Sequence, residues 1–291
     1  MTQRQSARGL AALCAVTMCA FAANSLLNRL ALTGGDTGPA AFATIRLGAG
    51  AVVLCALVMG GRDAPARLRT GVQGGRAAAL AIYMLGFSFA YVTLDAGLGA
   101  LILFGAVQIT MFAGGMVAGD TIPARRLAGA GLAMAGLVGL LWPAGATAPP
   151  LAGALLMTVA GIGWGVFSLK GRRGQDPLAT MAGSFLLALP AGLLALAVVG
   201  GDGLDARGAL LAVLSGAVTS GLGYALWYRV LPRLASSAAA VLQLSVPVIA
   251  MAGGVALLGE TVGIRAIGAG IMVLGGVALA VTAPSAPARR G

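Results

Sequence analysis

Residues 254–276 read GVALLGETVGIRAIGAGIMVLGG, and residues 114–136 read GGMVAGDTIPARRLAGAGLAMAG. Superposed at an offset of 140, Gly114 falls on Gly254, Gly119 on Gly259, Asp120 on Glu260, Thr121 on Thr261, Arg125 on Arg265 and Gly136 on Gly276. The correspondence runs from 96–143 to 236–283, and Asp36 and Asp176 share the same spacing. The chain is read as a duplication. What is duplicated follows from hydropathy.

Of 291 residues, 59% are hydrophobic, 47 are glycine, and only 27 (19 basic, 8 acidic) carry charge. Soluble domains place charge at about a quarter of their positions, which excludes a water-soluble fold of this size. Charges and Pro/Gly clusters divide the chain into ten apolar stretches, near 10–32, 39–60, 77–95, 97–118, 126–143, 151–169, 178–199, 208–228, 235–258 and 264–282. Each is long enough to cross about 30 Å of hydrocarbon as a helix, and none alternates like a barrel strand. The expected fold is an all-α integral membrane protein of ten transmembrane helices.

Sidedness follows from the loops. Arg4, Arg8, Arg62, Arg67, Arg69, Arg76, Arg125, Arg126, Lys170, Arg172, Arg173, Arg229, Arg233, Arg289 and Arg290 fall on one side, fifteen residues against the three of the other, Arg29, Arg207 and Arg265. That asymmetry places both termini and the even-numbered loops in the cytoplasm. It also accounts for the net charge of +11 without nucleic acid. The expected organisation is a cytoplasmic N-terminus at 1–9, a five-helix repeat at 10–143, a periplasmic linker at 144–150, a second repeat at 151–282 and a cytoplasmic tail at 283–291. Five is odd, so the second repeat enters the membrane inverted, and inverted repeats are a transporter arrangement. Arg4 and Arg8 before an apolar run ending in Ala20-Phe21-Ala22 imitate a secretory signal. Retention is expected, because cleavage would leave nine spans.

The chain resembles the EamA-type drug/metabolite transporters over nearly its whole length. The resemblance rests on Pro247, Gly259-Glu260-Thr261 and Gly268, Gly270, Gly275 and Gly276, on Trp164-Gly165 early in the second half, and on Phe21-Ala22-Ala23-Asn24. The first copy departs from the pattern with Val107 for a proline, Asp120 for the glutamate and Phe21 for a tryptophan. The resemblance implies a carrier of the cytoplasmic membrane with a cavity between its halves, in a family that includes exporters of amino acids.

There is no histidine, Lys170 is the single lysine, and Cys14, Cys19 and Cys55 lie in apolar runs where a thiol acts as a small hydrophobe. No cofactor, metal site or enzyme activity is expected. Asp95, Asp120 and Glu260 fall at helix ends, so transport is not expected to depend on a buried titrating group; Asp120 and Glu260 are read either as solvent-exposed carboxylates held near Arg125 or Arg265 or as gate charges. The expected partners are a small-molecule substrate and the lipid bilayer.

Amides inside the spans either bond helix to helix or line a substrate cavity. Their presence near mid-depth in both halves favours a shared cavity, lined by Asn24 and Asn28 in the first span, Tyr83 and Tyr91 with Phe87 in the third, Trp164 and Ser168 in the sixth, Ser220, Tyr224 and Trp227 in the eighth, and Gln243 and Pro247 in the ninth. For Trp227 an interfacial aromatic belt is the alternative. Gln108 in the fourth span and Gln243 are the leading polar contacts, each about 12 to 18 Å from its own surface. Arg46 is the one charge inside a span, and two readings stand open. It either receives a substrate carboxylate in a bidentate contact, or snorkels to the interface or pairs with a neighbouring loop. Gly131, Ala135 and Gly139 form a packing face. The best substrate class is aromatic or apolar amino acids, exported by alternating access. The alternatives are nucleobases, nucleosides or lipophilic cations, and more distantly a membrane-embedded enzyme or a scaffold.

Overall fold

The computed structural model describes residues 2–61, 63–117, 123–141, 149–171, 176–200, 203–230 and 242–281. These residues form eleven helices: α1 Thr2–Leu32, α2 Pro39–Met59, α3 Ala64–Gly71, α4 Gly74–Ala90, α5 Ala96–Val117, α6 Ala124–Leu141, α7 Leu151–Gly171, α8 Pro177–Val199, α9 Ala206–Val230, α10 Ser245–Leu258 and α11 Ile264–Val281. Each apolar stretch of the sequence thus contains a helix where it is described, the third ending at Ala90 ahead of a turn at residues 91–95. Six helices are long and apolar enough to cross a membrane (α1, α2, α5, α7, α8 and α9), and α4, α6, α10 and α11 contain shorter apolar segments. α3 was not anticipated, and α1 extends back through residues 2–9.

Helix starts follow local chemistry. Pro39 opens α2, and Pro177 opens α8 behind Asp176, whose Oδ1 accepts from Ala179 N at 3.1 Å. Asp205 caps α9 in the same way through Gly208 N. α10 closes at Gly259, which is left-handed at φ +67°, with Glu260 N donating to Gly254 O.

Polarity is distributed in reverse of a soluble protein. Val52, Val198, Ile264 and Ile271 are each at least 69% exposed, while Asn24, Asn28, Arg46, Ser88, Ser184, Ser215 and Ser220 are buried. An apolar exterior around a polar interior is what a lipid solvent selects.

Within the bundle α2 lies along α8, and α6 along α11. α4 packs on α7 and α8, while α9 packs on α1 and α2. α5 packs on α7 and α10, and α10 in turn on α1. α6 meets α11 through Gly129, Ala133 and Gly136, where a Cβ on Gly129 would overlap the Gly276 carbonyl. This corrects the expected packing face. Gly131, Ala135 and Gly139 point outward, and nothing lies within 4 Å of a Cβ built on Gly131 or Gly139.

Residues 215–222 of α9 are π-helical. The wider turn brings Ser215, Thr219 and Ser220 together on the buried side, and π segments inside α-helices often accompany function. Gly216 sits against α2 so closely that a Cβ there would overlap the Arg46 carbonyl.

Candidate functional site

Ser215, Thr219 and Ser220 converge on a single atom. All three hydroxyls donate to Asn24 Oδ1 of α1, at 2.8 Å from Ser215 and 3.3 Å from Ser220. One turn on, Asn28 Nδ2 donates to the Asn24 carbonyl at 3.0 Å and Asn28 Oδ1 accepts from Ser88 of α4 at 2.8 Å. Both asparagines bond neighbouring helices, as buried amides must.

Arg46 completes the cluster from α2. Its Nε donates to Ser220 Oγ at 3.1 Å and its Nη2 to Tyr83 Oη at 3.1 Å. The guanidinium carbon lies 4.9 Å over the Phe87 ring and 5.5 Å over Tyr83. The side chain is 0% exposed, so the snorkelling alternative falls. Among the described residues Arg46 makes no ion pair, and its Nη1 has no hydrogen-bond partner. Two cation–π contacts contribute about 1 to 2 kcal/mol each when desolvated, whereas burying a lone cation costs several and an unmet donor about 1 to 3. Folding alone does not favour this arrangement.

Aromatic rings close over the arginine. Tyr83 Oη stands 3.3 Å from Tyr224 Oη. Trp164 lies 4.9 Å from Tyr83, 5.0 Å from Tyr224 and 5.4 Å from Phe167, and Phe21 meets both Tyr224 and Trp227 edge-on. Gly163 lets α7 touch the α4 backbone at Ala79 and Tyr83, which seats Trp164 on Tyr83. Trp227 is 8% exposed and packs inward rather than in an interfacial belt. Tyr91 is fully buried, stacks edge-on against Phe87 at 4.7 Å and donates to Ala96 O at 3.2 Å. Ser168 is spent on the Trp164 carbonyl at 2.8 Å.

The structure therefore brings together Asn24, Asn28, Arg46, Tyr83, Tyr91, Trp164, Tyr224 and Trp227. Gln108 and Gln243 are half-buried and make no hydrogen bond among the described residues, and Pro247 is buried in α10. A Cβ on Gly97 of α5 would overlap Met251 of α10, and one on Gly254 would lie 3.7 Å from Ala96. That antiparallel register puts Gln108 within about one turn of the level of Gln243. Sequence reasoning missed Ser88, Ser215 and Thr219. The signal was present as Ser215, Thr219 and Ser220 with glycines at 216 and 221.

Two ion-pair systems hold opposite ends of the bundle. At the end where α10 finishes, Glu260 Oε1 and Oε2 accept from Ala96 N at 2.8 and 3.0 Å, and Oε1 lies 3.6 Å from Arg29 Nε. Arg29 also pairs with Asp95 at 3.2 Å and donates to the Tyr91 and Val92 carbonyls. The Glu260 side chain is 8% exposed, and burial pushes its carboxyl above the ordinary range, against the opposing pull of the Ala96 amide and Arg29. This overturns the expectation of a solvent-exposed carboxylate held by Arg265, whose guanidinium donates to Gly139 O. Asp120, its counterpart, lies outside the described residues. A cleft of about 160 Å³ opens beside Glu260, lined also by Asp95, Met251, Thr261 and Arg265.

At the other end, where α7 finishes at Lys170, Arg67 Nε meets Asp176 Oδ2 at 2.6 Å, and the Arg67 hydrogen bond holds that carboxyl below its usual range. From Gln108 on, the last half of α5 is partly or fully exposed around its circumference, whereas residues 99–107 are buried throughout. No group of three metal-ligating side chains occurs among the described residues.

An uncharacterized protein of Pseudomonas aeruginosa is 49% identical over 265 residues, covering 91% of each chain. A crystal structure shares the fold with a TM-score of 0.66 at 16% identity, over 94% of this chain and 97% of the other. Residues 151–282, from the start of α7 to just past the end of α11, match the EamA-like transporter family, and this multi-pass membrane protein carries a domain of that family.

Proposed function

We propose that the protein is a ten-span carrier of two inverted five-helix repeats that exports a carboxylate-bearing metabolite by alternating access. Aromatic or apolar amino acids are the favoured class. Both termini lie in the cytoplasm, and the membrane is the cytoplasmic one. Helix bounds support the repeat: α6 and α11 begin and end 140 residues apart. Partners exchange in the same sense, with α4 on α7 matched by α9 on α1, and α5 on α7 by α10 on α1. Asp176 meets Arg67 at one end. Asp36 and Arg207, their counterparts at offset 140, meet the facing segments at the other, through Asp205 and Gly34.

The observation that carries the substrate class is the buried guanidinium of Arg46, which among the described residues has one nitrogen without a hydrogen-bond partner and no carboxylate paired to it. A substrate carboxylate supplies the missing charge in a bidentate contact, and the surrounding rings receive an apolar body. An uncompensated cation repels lipophilic cations and gives neutral nucleosides nothing in return. Gln108 and Gln243 line the route from the Lys170 end.

The test is flux in proteoliposomes of L-phenylalanine, uridine and phenethylamine through wild type and Arg46→Gln. Wild type should move the amino acid only. Losing a charge-assisted hydrogen bond of about 1.5 to 3 kcal/mol should weaken apparent affinity roughly ten- to hundredfold with folding retained. Gln108→Leu and Gln243→Leu should each cost about two- to tenfold, the value of an ordinary hydrogen bond. Equal flux of phenethylamine, or an Arg46→Gln carrier with wild-type affinity, overturns the proposal.

A further inference from the structure

Two buried side-chain atoms lack a hydrogen-bond partner among the described residues, Arg46 Nη1 and Arg76 Nε. The second stands at the Lys170 end. Arg76 is 2% exposed in the first turn of α4, its guanidinium carbon 4.8 Å over the Phe167 ring. Its Nη1 reaches the Lys170 carbonyl at 3.4 Å, a long bond. The Tyr228 hydroxyl lies close enough to interact with it. The Lys170 ammonium crosses back to the Gly75 carbonyl at 3.3 Å. Arg76 makes no ion pair among the described residues. A cation in the first turn also opposes the α4 dipole. Among the described residues it is desolvated, without an ion-pair partner and at the unfavourable end of its helix.

The two arginines are joined by rings. Phe167 under Arg76 stacks on Trp164 at 5.4 Å and 20°, Trp164 meets Tyr83 at 4.9 Å, and Tyr83 lies under Arg46. Arg76 precedes Tyr83 by seven positions, about 10 Å along α4, roughly one small organic molecule.

We propose that Arg76, with Phe167 and Tyr228, forms a second carboxylate subsite for the same substrate, at which the anion docks before it passes along Trp164 to Arg46. The inference rests on the carrier reading above and adds the docking position. The free Nε and its neighbouring Nη present the side-on fork that a carboxylate engages bidentately. The apolar body lies along Phe167 and Trp164, and the nearby Lys170 ammonium favours anions at this mouth.

The full chain in phosphatidylcholine nanodiscs is titrated with 3-phenylpropionate and with phenethylamine, followed by tryptophan fluorescence and calorimetry. Wild type should bind two equivalents of the anion and none of the amine, Arg76→Gln should lose one equivalent, and Arg46→Gln the other. In proteoliposomes supplied from the Lys170 end, Arg76→Gln should raise KM for L-phenylalanine about tenfold with maximal flux near wild type, and Arg76→Lys should recover part of the loss. An Arg76→Gln protein that keeps wild-type stoichiometry and KM but melts at a lower temperature overturns the subsite and leaves Arg76 a cap on α7. A second equivalent that disappears when phosphatidylglycerol is added belongs to a lipid headgroup and overturns it too. Binding lost in Arg46→Gln alone removes the docking step and leaves the carrier standing. Binding insensitive to both substitutions removes the carrier site as well.

Discussion

The Arg67–Asp176 pair is the shorter, at 2.6 Å against 3.6 Å for Arg29–Glu260, yet it is the weaker fastener of the two ends. Its side chains are each 31% exposed, while those of Arg29 and Glu260 are 18% and 8% exposed. Water screens the first pair and holds either partner when the other leaves. Glu260 binds two elements at once, the end of α1 through Arg29 and the start of α5 through the Ala96 amide. Distance alone ranks these pairs wrongly, because the environment sets what a charge loses when its partner goes. The two carboxyls also shift in opposite directions, Glu260 upward by burial and Asp176 downward by its arginine. The bundle is latched at the Glu260 end and looser at the Lys170 end, where the last half of α5 is open to its surroundings.

The largest expected effect is that of Glu260→Ala. It strips the Ala96 amide and leaves Asp95 as the remaining carboxylate paired with Arg29 among the described residues, at a cost of about 2 to 3 kcal/mol, below the range for a fully buried pair. Thermal unfolding in detergent measures the loss, and hydrogen exchange should show the Ala96 and Gly97 amides opening first. If residues 63–71 open first instead, the Lys170 end is the tighter one and the comparison reverses.

Acidity separates the two ends by sign. The folded-state pKa of Glu260 is raised, so the folded protein holds the extra proton and wild type gains stability relative to Glu260→Gln as pH falls from neutrality into the ordinary carboxylate range. Asp176 is depressed, so its contribution is present above the ordinary carboxylate range, and wild type loses stability relative to Asp176→Asn as pH falls through and below that range. Melting temperatures of the three proteins across pH check both slopes, and slopes of equal sign would contradict the assignment.

The smallest effect belongs to Arg67→Ala. Its melting temperature should fall by less than that of Glu260→Ala, and the shift should vanish in about 1 M salt, where the Debye length is about 3 Å. A shift that survives such salt would show that the exposed pair is held by more than its charges.

Much of the fold was legible because lipid imposes length and apolarity on each segment separately. The ten stretches could be marked without knowing which helix meets which. The Gly129–Gly276 contact illustrates the limit: small residues at four-residue spacing lie on both faces of α6, and only the position of α11 decides that Gly129, Ala133 and Gly136 face inward. The site was partly legible on the same terms. Asn24, Asn28, Tyr83 and Tyr224 stand out as polar groups in apolar helices, and all four enter the buried cluster. Ser215 and Thr219 were overlooked because a hydroxyl in a helix ordinarily satisfies itself on its own backbone, and a π turn cannot be seen in composition. Gln108 and Gln243 looked central by depth, but depth leaves the side of the helix unspecified.

The sequence by itself determined the solvent, the number of apolar segments, the charge asymmetry between alternate segments and the residues that recur at an offset of 140, because each is a property of residues in chain order. Only the tertiary structure decided that Arg46 is buried without a carboxylate among the described residues, that Asn24 gathers three hydroxyls from a π-helical turn, and that Glu260 binds α5 rather than Arg265. Each of those facts depends on which atoms of distant segments meet, and a charge that would snorkel from an isolated helix has nowhere to go once other helices enclose it.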